Sequence, residues 1–362
     1  MFNAPQNLVS ENFGFEKLLN MNDSKILLPA EWAEQSGVML TWPHEDTDWA
    51  EMLDVVEVCF IAIAKAISEM ERLLIVCRDS TRLSEKLVDC KIENIIFAEF
   101  PSNDTWARDH GAITVMIDEK PVLYDFGFNG WGLKFPANLD NQLTSLLFRR
   151  NFFEKQVGYK NMQHLILEGG SFESDGEGTL LTTRECLLSV NRNSYLTEKQ
   201  IENELMAIFG LHRVLWLSSG YLAGDDTDSH VDTLARFCNP ETIAYVKSDN
   251  PDDEHHEALS LMEQQLMTFK TLKNLPYQLV PLPMADPVYE KDFRLPATYA
   301  NFLIINSSVL VPTYKSYKDQ VALQQLKKAF PDRQVLGINC LPLIKQHGSL
   351  HCVTMQFPKG VI

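Results

Sequence analysis

The stretch QHGSLHCVTMQ, residues 346–356, sets Cys352 directly after His351, on the edge of a glycine-containing turn that runs into an apolar, strand-like segment. A thiol in that setting can be a core residue, a metal ligand or a nucleophile whose partners lie far away in the chain. Four other clusters carry side chains that are costly to bury unless they do something. They are TWPHED near Trp42, NDTWARDHG near Trp106, LEGGSFESDG near Glu168 and GDDTDSHVD near His230. Their charged members include Asp104, Asp109, Glu168, Asp225, Asp226, Asp228, His230 and Asp232. An aspartate in a turn ordinarily caps a helix or closes an Asx-turn. In TWARDHG and DSHVDTLARF, however, charge abuts aromatic and apolar residues. A buried carboxylate there needs a cation, several hydrogen bonds or a proton. Arg108 or a bound ligand could be that cation.

His230-Val231-Asp232 has a useful spacing, because residues i and i+2 of a strand point to the same face. Read as a strand, it projects imidazole and carboxylate into one site. Glu168, just ahead of two glycines, is placed to accept the imidazole N–H and fix its tautomer. Cys352 would then be the nucleophile and His230 the proton carrier.

Such a site needs elements that bring distant segments together. Short apolar runs at 72–78, 93–100, 112–117, 121–127, 164–170 and 213–217 read as strands. Segments 54–70 and 196–210 have helical spacing, with Gly210 a stop signal for the second. The acidic stretch KSDNPDDEHHEA at 247–258 reads as a solvated loop opening another helix. The clusters recur at near-constant intervals: 106 − 42 = 64, 168 − 106 = 62 and 230 − 168 = 62. A period of roughly 60 residues points toward repeated units that each end a strand at a common rim.

Composition limits what the chain can do. Among 362 residues, 49 are acidic and 32 basic, giving a net charge of −17. Nucleic acid and anionic membranes call for basic patches, so neither is expected as a partner. A cationic substrate is compatible. The seven cysteines (59, 77, 90, 186, 238, 340 and 352) form no CxxC pair and no even framework. No basic, apolar leader opens the sequence and no run of about 20 apolar residues occurs. A cytoplasmic setting follows as the expectation.

Taken together, NDTWARDHG, LEGGSFESDGEGTLLTTRECLL with the NRN after it, GDDTDSHVDTLARF, YANFLIINSSVLVP and HCVTMQ resemble the agmatine deiminase family, which also includes bacterial-type peptidyl-arginine deiminases. The likeness begins at LPAEWAEQSGVMLTWP and covers nearly the whole chain. It implies an α/β fold of the pentein kind, a five-bladed αβ propeller with pseudo-fivefold symmetry. One catalytic domain would span 1–362, with 1–25 as an N-terminal extension. It further implies that Cys352, His230, Asp109, Asp232 and Glu168 form the catalytic set. The reaction would be hydrolytic deimination of agmatine to N-carbamoylputrescine and ammonia, through a cysteine-bound thiouronium, with no metal or organic cofactor. A homo-oligomer is compatible with the family.

Agmatine carries an ammonium where arginine has a carboxylate and an α-amine, so its tail calls for acidic or carbonyl groups. Asp104, Asp226 and Asp228 are candidates, with Asp225 beside them, and Trp106 and Trp131 could wall the methylene chain. Trp42 suits the core as well. Three rivals stay open. His347 and His351 are four residues apart like a helical zinc pair, although Gly-Ser-Leu between them is poor helix material. The chain could deiminate free or peptidyl arginine or transfer an amidine. It could also bind guanidines without turning them over.

Overall fold

Leucine- and valine-rich runs alternate with amphipathic helices because the same small unit recurs. The computed structural model describes residues 24–362, so the expected N-terminal extension lies, up to residue 23, outside the described residues. Five of the sheets have three or four strands and share one pattern: an antiparallel pair whose second strand also pairs in parallel with a third. A helix links the second and third strands, as a parallel crossover requires.

In the second unit, Ile113–Ile117 pairs antiparallel with Lys120–Gly127, which pairs in parallel with Gly158–Ile166 after the helix Leu143–Arg149. The third repeats this with Phe172–Ser174, Thr179–Thr183 and Arg213–Leu217 around the helix Glu198–Phe209. The fourth uses Ala235–Asn239, Thr242–Lys247 and Gln278–Pro283 around His256–Thr268. The fifth uses Leu303–Ile305, Ser308–Thr313 and Gln334–Asn339 around Lys318–Ala329.

The first unit is made from both ends of this sequence. Thr354–Pro358 pairs antiparallel with Gln35–Thr41, which pairs in parallel with Arg72–Cys77 after the helix Leu53–Ser68. Among the described residues, no sheet closes on itself.

The second strands are buried nearly throughout, Thr179–Thr183 completely. Burial on both faces is why apolar side chains follow one another in several of them, as at 38–40 and 309–311, instead of alternating. The helix Glu198–Phe209 begins on a capping box, with Thr197 and Gln200 exchanging hydrogen bonds. It ends at Gly210, whose φ of +66° is the left-handed conformation that glycine adopts without a Cβ penalty. One expectation shifts. The run 164–170 is only the end of a strand that starts at Gly158, and it stops at Ile166 so that a 3-10 turn can form at Gly169–Ser171. Trp42 lies in the apolar core, edge-on to Phe60, and donates to Glu57. Among the described residues, no helix is long and apolar enough to cross a membrane.

Candidate active site

Each unit opens with a short turn just ahead of its antiparallel strand, and these turns carry the polar residues. Ala107–His110 precedes Ile113–Ile117, Gly169–Ser171 precedes Phe172–Ser174, and Val231–Thr233 precedes Ala235–Asn239. Turns at 299–300 and 350–353 precede Leu303–Ile305 and Thr354–Pro358. Successive turns touch one another. Gly170 N–H donates to Asp109 Oδ1 at 3.0 Å. A Cβ on Gly170 would lie 2.6 Å from His230 Nδ1, so only a glycine lets these two turns meet. Thr298 Oγ1 donates to the Thr233 carbonyl at 2.8 Å. His351 N–H donates to Asn301 Oδ1 at 2.9 Å, and Arg108 N–H to the Cys352 carbonyl at 3.1 Å.

The turns gather Cys352, Asp109, Asp232, His230 and Glu168, all buried. Asp109 is held by neutral donors, Gly170 N–H on Oδ1 and Trp131 Nε1–H on Oδ2 at 2.9 Å. Burial pushes its pKa up; His230, with Nδ1 3.7 Å from Oδ1, pulls the other way, and Asp232 adds to the rise. Asp232 accepts from His351 Nδ1 at 2.7 Å and from Asn301 Nδ2 at 3.2 Å, both on Oδ2. Among the described residues, Oδ1 has no partner. Burial would raise the pKa of Asp232, but the hydrogen bond and charge of His351 outweigh it and hold the carboxyl below its usual range.

His230 differs from the expected strand residue. It caps a 3-10 turn at Val231–Thr233, with Thr233 Oγ1 donating to its carbonyl at 2.8 Å. Its imidazole still lies beside Asp109. Burial opposes protonation, yet Asp109, Cys186 and Glu168 raise its pKa to about 10. Nε2 has no hydrogen-bond partner among the described residues. Glu168 does not provide one. Both its oxygens accept from Arg192 Nε, at 2.9 and 3.0 Å, so it contributes charge near the imidazole rather than the expected hydrogen bond. The Cys352 thiol is pushed well up by burial and by the negative charges of Asp232 and Asp109. It also meets Asn301 Oδ1 at 3.4 Å.

Cys352 and Asp109 border a cavity of about 390 Å3. Trp106 and Trp131 line it and pack edge to face. Gly348 lets the last turn approach Trp106, since a Cβ there would lie 2.1 Å from the ring. Asp104 and Asp226 also line the cavity. Asp104 accepts from the indoles of Trp49 and Trp106 at 2.9 and 3.1 Å. Burial, with Asp48 nearby, pushes its pKa up to about 7. Asp140, which sequence reasoning missed, accepts from the Asn103 and Asp104 amides and is likewise raised by burial to about 7. Asp46 and Asp48 complete an acidic wall in which Arg78 is already paired with Asp46 and Glu45.

Asp228 stands apart. Its carboxylate joins Lys134 and Arg192 at 2.6 Å each, and it does not line the cavity. Asp225 builds the turn itself, accepting from the amides of Thr227 and Ser229. The suspected histidine pair does not converge either. His347 leaves a 3-10 turn with φ +67° and bonds Gly224 O, while His351 places one ring nitrogen on Asp232 and the other on Glu31. Two buried groups have metal-ligating chemistry, Glu168 with Cys186 and His230, and Glu31 with Glu173 and His351. Each already holds a guanidinium, Arg192 in the first and Arg236 in the second, which opposes a further cation.

Residues 27–358 match the Porphyromonas-type peptidyl-arginine deiminase family. A Porphyromonas gingivalis protein described as a candidate arginine deiminase is 54% identical, with a TM-score of 0.90, covering 93% of this chain and all of the other. A cysteine-to-serine variant of a C. jejuni agmatine deiminase, solved with substrate bound, is 38% identical with a TM-score of 0.88, covering 95% of this chain and 99% of its own. The agmatine deiminase of Pseudomonas syringae pv. syringae is 32% identical over 91% of this chain and 95% of its own length. The chain belongs to the Porphyromonas-type peptidyl-arginine deiminase family.

Proposed function

We propose that this protein hydrolyses agmatine to N-carbamoylputrescine and ammonia, with Cys352 as nucleophile. The observation that carries this is the thiol's place near two buried carboxylates, one of them beside a buried imidazole, at a cavity with aromatic and acidic walls. A guanidinium is planar and cationic, and paired charge-assisted hydrogen bonds from two carboxylates bind it and fix its plane. Asp109 and the free Oδ1 of Asp232 serve that purpose.

The mechanism follows from the charges. Before substrate binds, Cys352 is a thiol because it sits among anions. The incoming cation offsets Asp109 and Asp232, and the thiol proton leaves for solvent. The thiolate adds to the central carbon. His230, already an imidazolium, gives its proton to the departing nitrogen, and ammonia leaves a thiouronium on sulfur. Neutral His230 then takes a proton from water as its oxygen adds to the same carbon. The carbon–sulfur bond breaks, the ureido product forms by losing a proton, and thiolate is restored.

The tail decides the substrate. Asp104, Asp140 and Asp226 suit an ammonium, whereas a free amino acid would bring a carboxylate against them with Arg78, paired with Asp46, and His347, beside Asp226, as the basic side chains of the wall. The C. jejuni agmatine deiminase solved with substrate bound supports the same reading. The successive contacts of the turns support a reading of the five sheets as five blades about a pseudo-fivefold axis, in one catalytic domain. Seven unpaired cysteines suit a reducing cytoplasm.

Ammonia release from agmatine, arginine and an arginine peptide tests the proposal, each with wild type and Cys352→Ala. Release from agmatine that the variant loses by at least about 10³-fold, with unchanged melting, is the expected result. Release chiefly from arginine or the peptide would keep the chemistry and overturn the substrate. No release from any of them would end the hydrolase reading.

A further inference from the structure

Asp109 and Asp232 are both buried, and both come within about 3 Å of one point, the Cβ position Gly170 lacks: 2.9 Å for Asp109 Oδ1 and 3.1 Å for Asp232 Oδ2. Two carboxylates so close resist joint ionisation, yet a guanidinium clamp needs both charges. Among the described residues, Asp109 is hydrogen-bonded only by neutral donors. Asp232 is different, and the difference lies in His351.

We infer that His351 is a positioning residue, the near end of a buried charge relay that keeps Asp232 ionised and aims its free oxygen at the substrate. His351 Nδ1 meets Asp232 Oδ2 and Nε2 meets Glu31 Oε2, each at 2.7 Å. A ring with a proton on both nitrogens donates to both acceptors, and Arg236 Nη2, 3.0 Å from His351 Nε2, shares the same Glu31 oxygen. Behind it, Arg236 Nη2 reaches the same Glu31 oxygen at 2.8 Å, and Arg236 Nε reaches Glu173 at 2.5 Å. Glu31 Oε1 is fixed by the Ile304 amide at 2.7 Å. Arg108 Nη2 lies 3.7 Å from Glu31. Three cations, His351, Arg236 and Arg108, thus face three carboxylates, Asp232, Glu31 and Glu173, all buried.

Because Oδ2 of Asp232 is committed to His351 and Asn301, Oδ1 alone remains for a ligand. The other charged or titratable groups around Asp232 are His230 and Arg236 from its own segment, Arg108 and Asp109 from the second turn, and Cys352. None of those cations is hydrogen-bonded to it. His351, with both nitrogens engaged, cannot exchange protons with substrate, so its part is indirect.

This inference rests on the guanidinium-binding reading, and one probe separates the two. Methylguanidine has no tail, so the carboxylates of the outer cavity do not contribute. Its affinity is measured by titration calorimetry between pH 5.5 and 8.5 on wild type, His351→Gln and Glu31→Gln. Losing the cation at hydrogen-bond distance leaves burial unopposed by His351, and burial raises a fully buried carboxyl by up to about 3–5 units, so the pKa of Asp232 should move well above pH 5.5. His351→Gln should therefore bind roughly tenfold or more weakly than wild type at pH 5.5 and recover toward wild type by pH 8.5. The milder Glu31→Gln, which removes the counterion of His351, should shift in the same direction. Equal weakening at every pH, or none, would overturn the relay. Failure of folded wild type to bind methylguanidine would overturn the guanidinium reading instead.

Discussion

Gly170→Ala is the sharpest test of how tightly the site is built. Gly170 does not have a left-handed backbone, so alanine fits its conformation and only space is at issue. The added Cβ would lie 2.6 Å from His230 Nδ1, 2.9 Å from Asp109 Oδ1 and 3.1 Å from Asp232 Oδ2, where ordinary contact begins at 3.4 Å. Opening the first distance to 3.4 Å displaces the imidazole or the backbone by 3.4 − 2.6 = 0.8 Å. A misplacement of about 1 Å can cost on the order of 10²-fold in rate. Overpacking itself costs about 1–3 kcal/mol of stability. Gly337→Ala supplies the control, since its Cβ would meet Thr313 Cγ2 at 3.0 Å, far from the chemistry. Both variants should melt somewhat earlier, read by calorimetry. Only Gly170→Ala should lose about 10²-fold in kcat/KM for agmatine, read by ammonia release. A folded Gly170→Ala enzyme within threefold of wild type would refute the claim that these three side chains converge on the reacting centre.

Two further outcomes follow. Trp131→Phe keeps the cavity wall but removes the donor to Asp109 Oδ2; a hydrogen bond to a charged group is worth about 1.5–3 kcal/mol, so kcat/KM should fall roughly 10- to 100-fold, and an unchanged value in steady-state kinetics would count against Asp109 as a clamp. Asp104 and Asp140, with pKa values pushed up to about 7, are neutral below that pH and anionic above it. The KM for agmatine should accordingly fall as pH rises through 7, and Asp140→Asn should flatten that change; a pH-independent wild-type KM would remove the pair from the tail site.

The sequence made some of these residues visible and hid others for physical reasons. Cys352, His230, Asp109 and Asp232 stand in polar clusters embedded in apolar runs, and that conflict between charge and burial can be read locally. The repeat was also legible, because each unit spends about the same length on a turn, a strand pair and a crossover helix. The turn at His230 was not. An H-x-D spacing suits a strand, but here Thr227 Oγ1 and Thr233 Oγ1 hydrogen-bond the backbone of His230 and favour a 3-10 turn. The serine- and threonine-rich DTDSHVDT was the local sign of it. Pairings across the molecule leave no local trace. Glu31 meets His351 across 320 positions, and Arg192 claims the Glu168 carboxylate expected to serve His230. Asp228 reads as part of the acidic cluster although two cations hold it away from the cavity, whereas Asp140 lies outside every cluster.

The split construction of the first unit has a consequence in time. While a ribosome is still making the residues that follow Gln35–Thr41, the edge that will receive Thr354–Pro358 is bare, because its partner is not yet synthesised. Such an edge is a template for unwanted pairing, so the nascent chain depends on its other units folding promptly or on chaperones shielding it. The same delay is protective. The nucleophile arrives just ahead of the strand that completes the sheet, so a product truncated before the last turn holds both clamp carboxylates but no Cys352 to react.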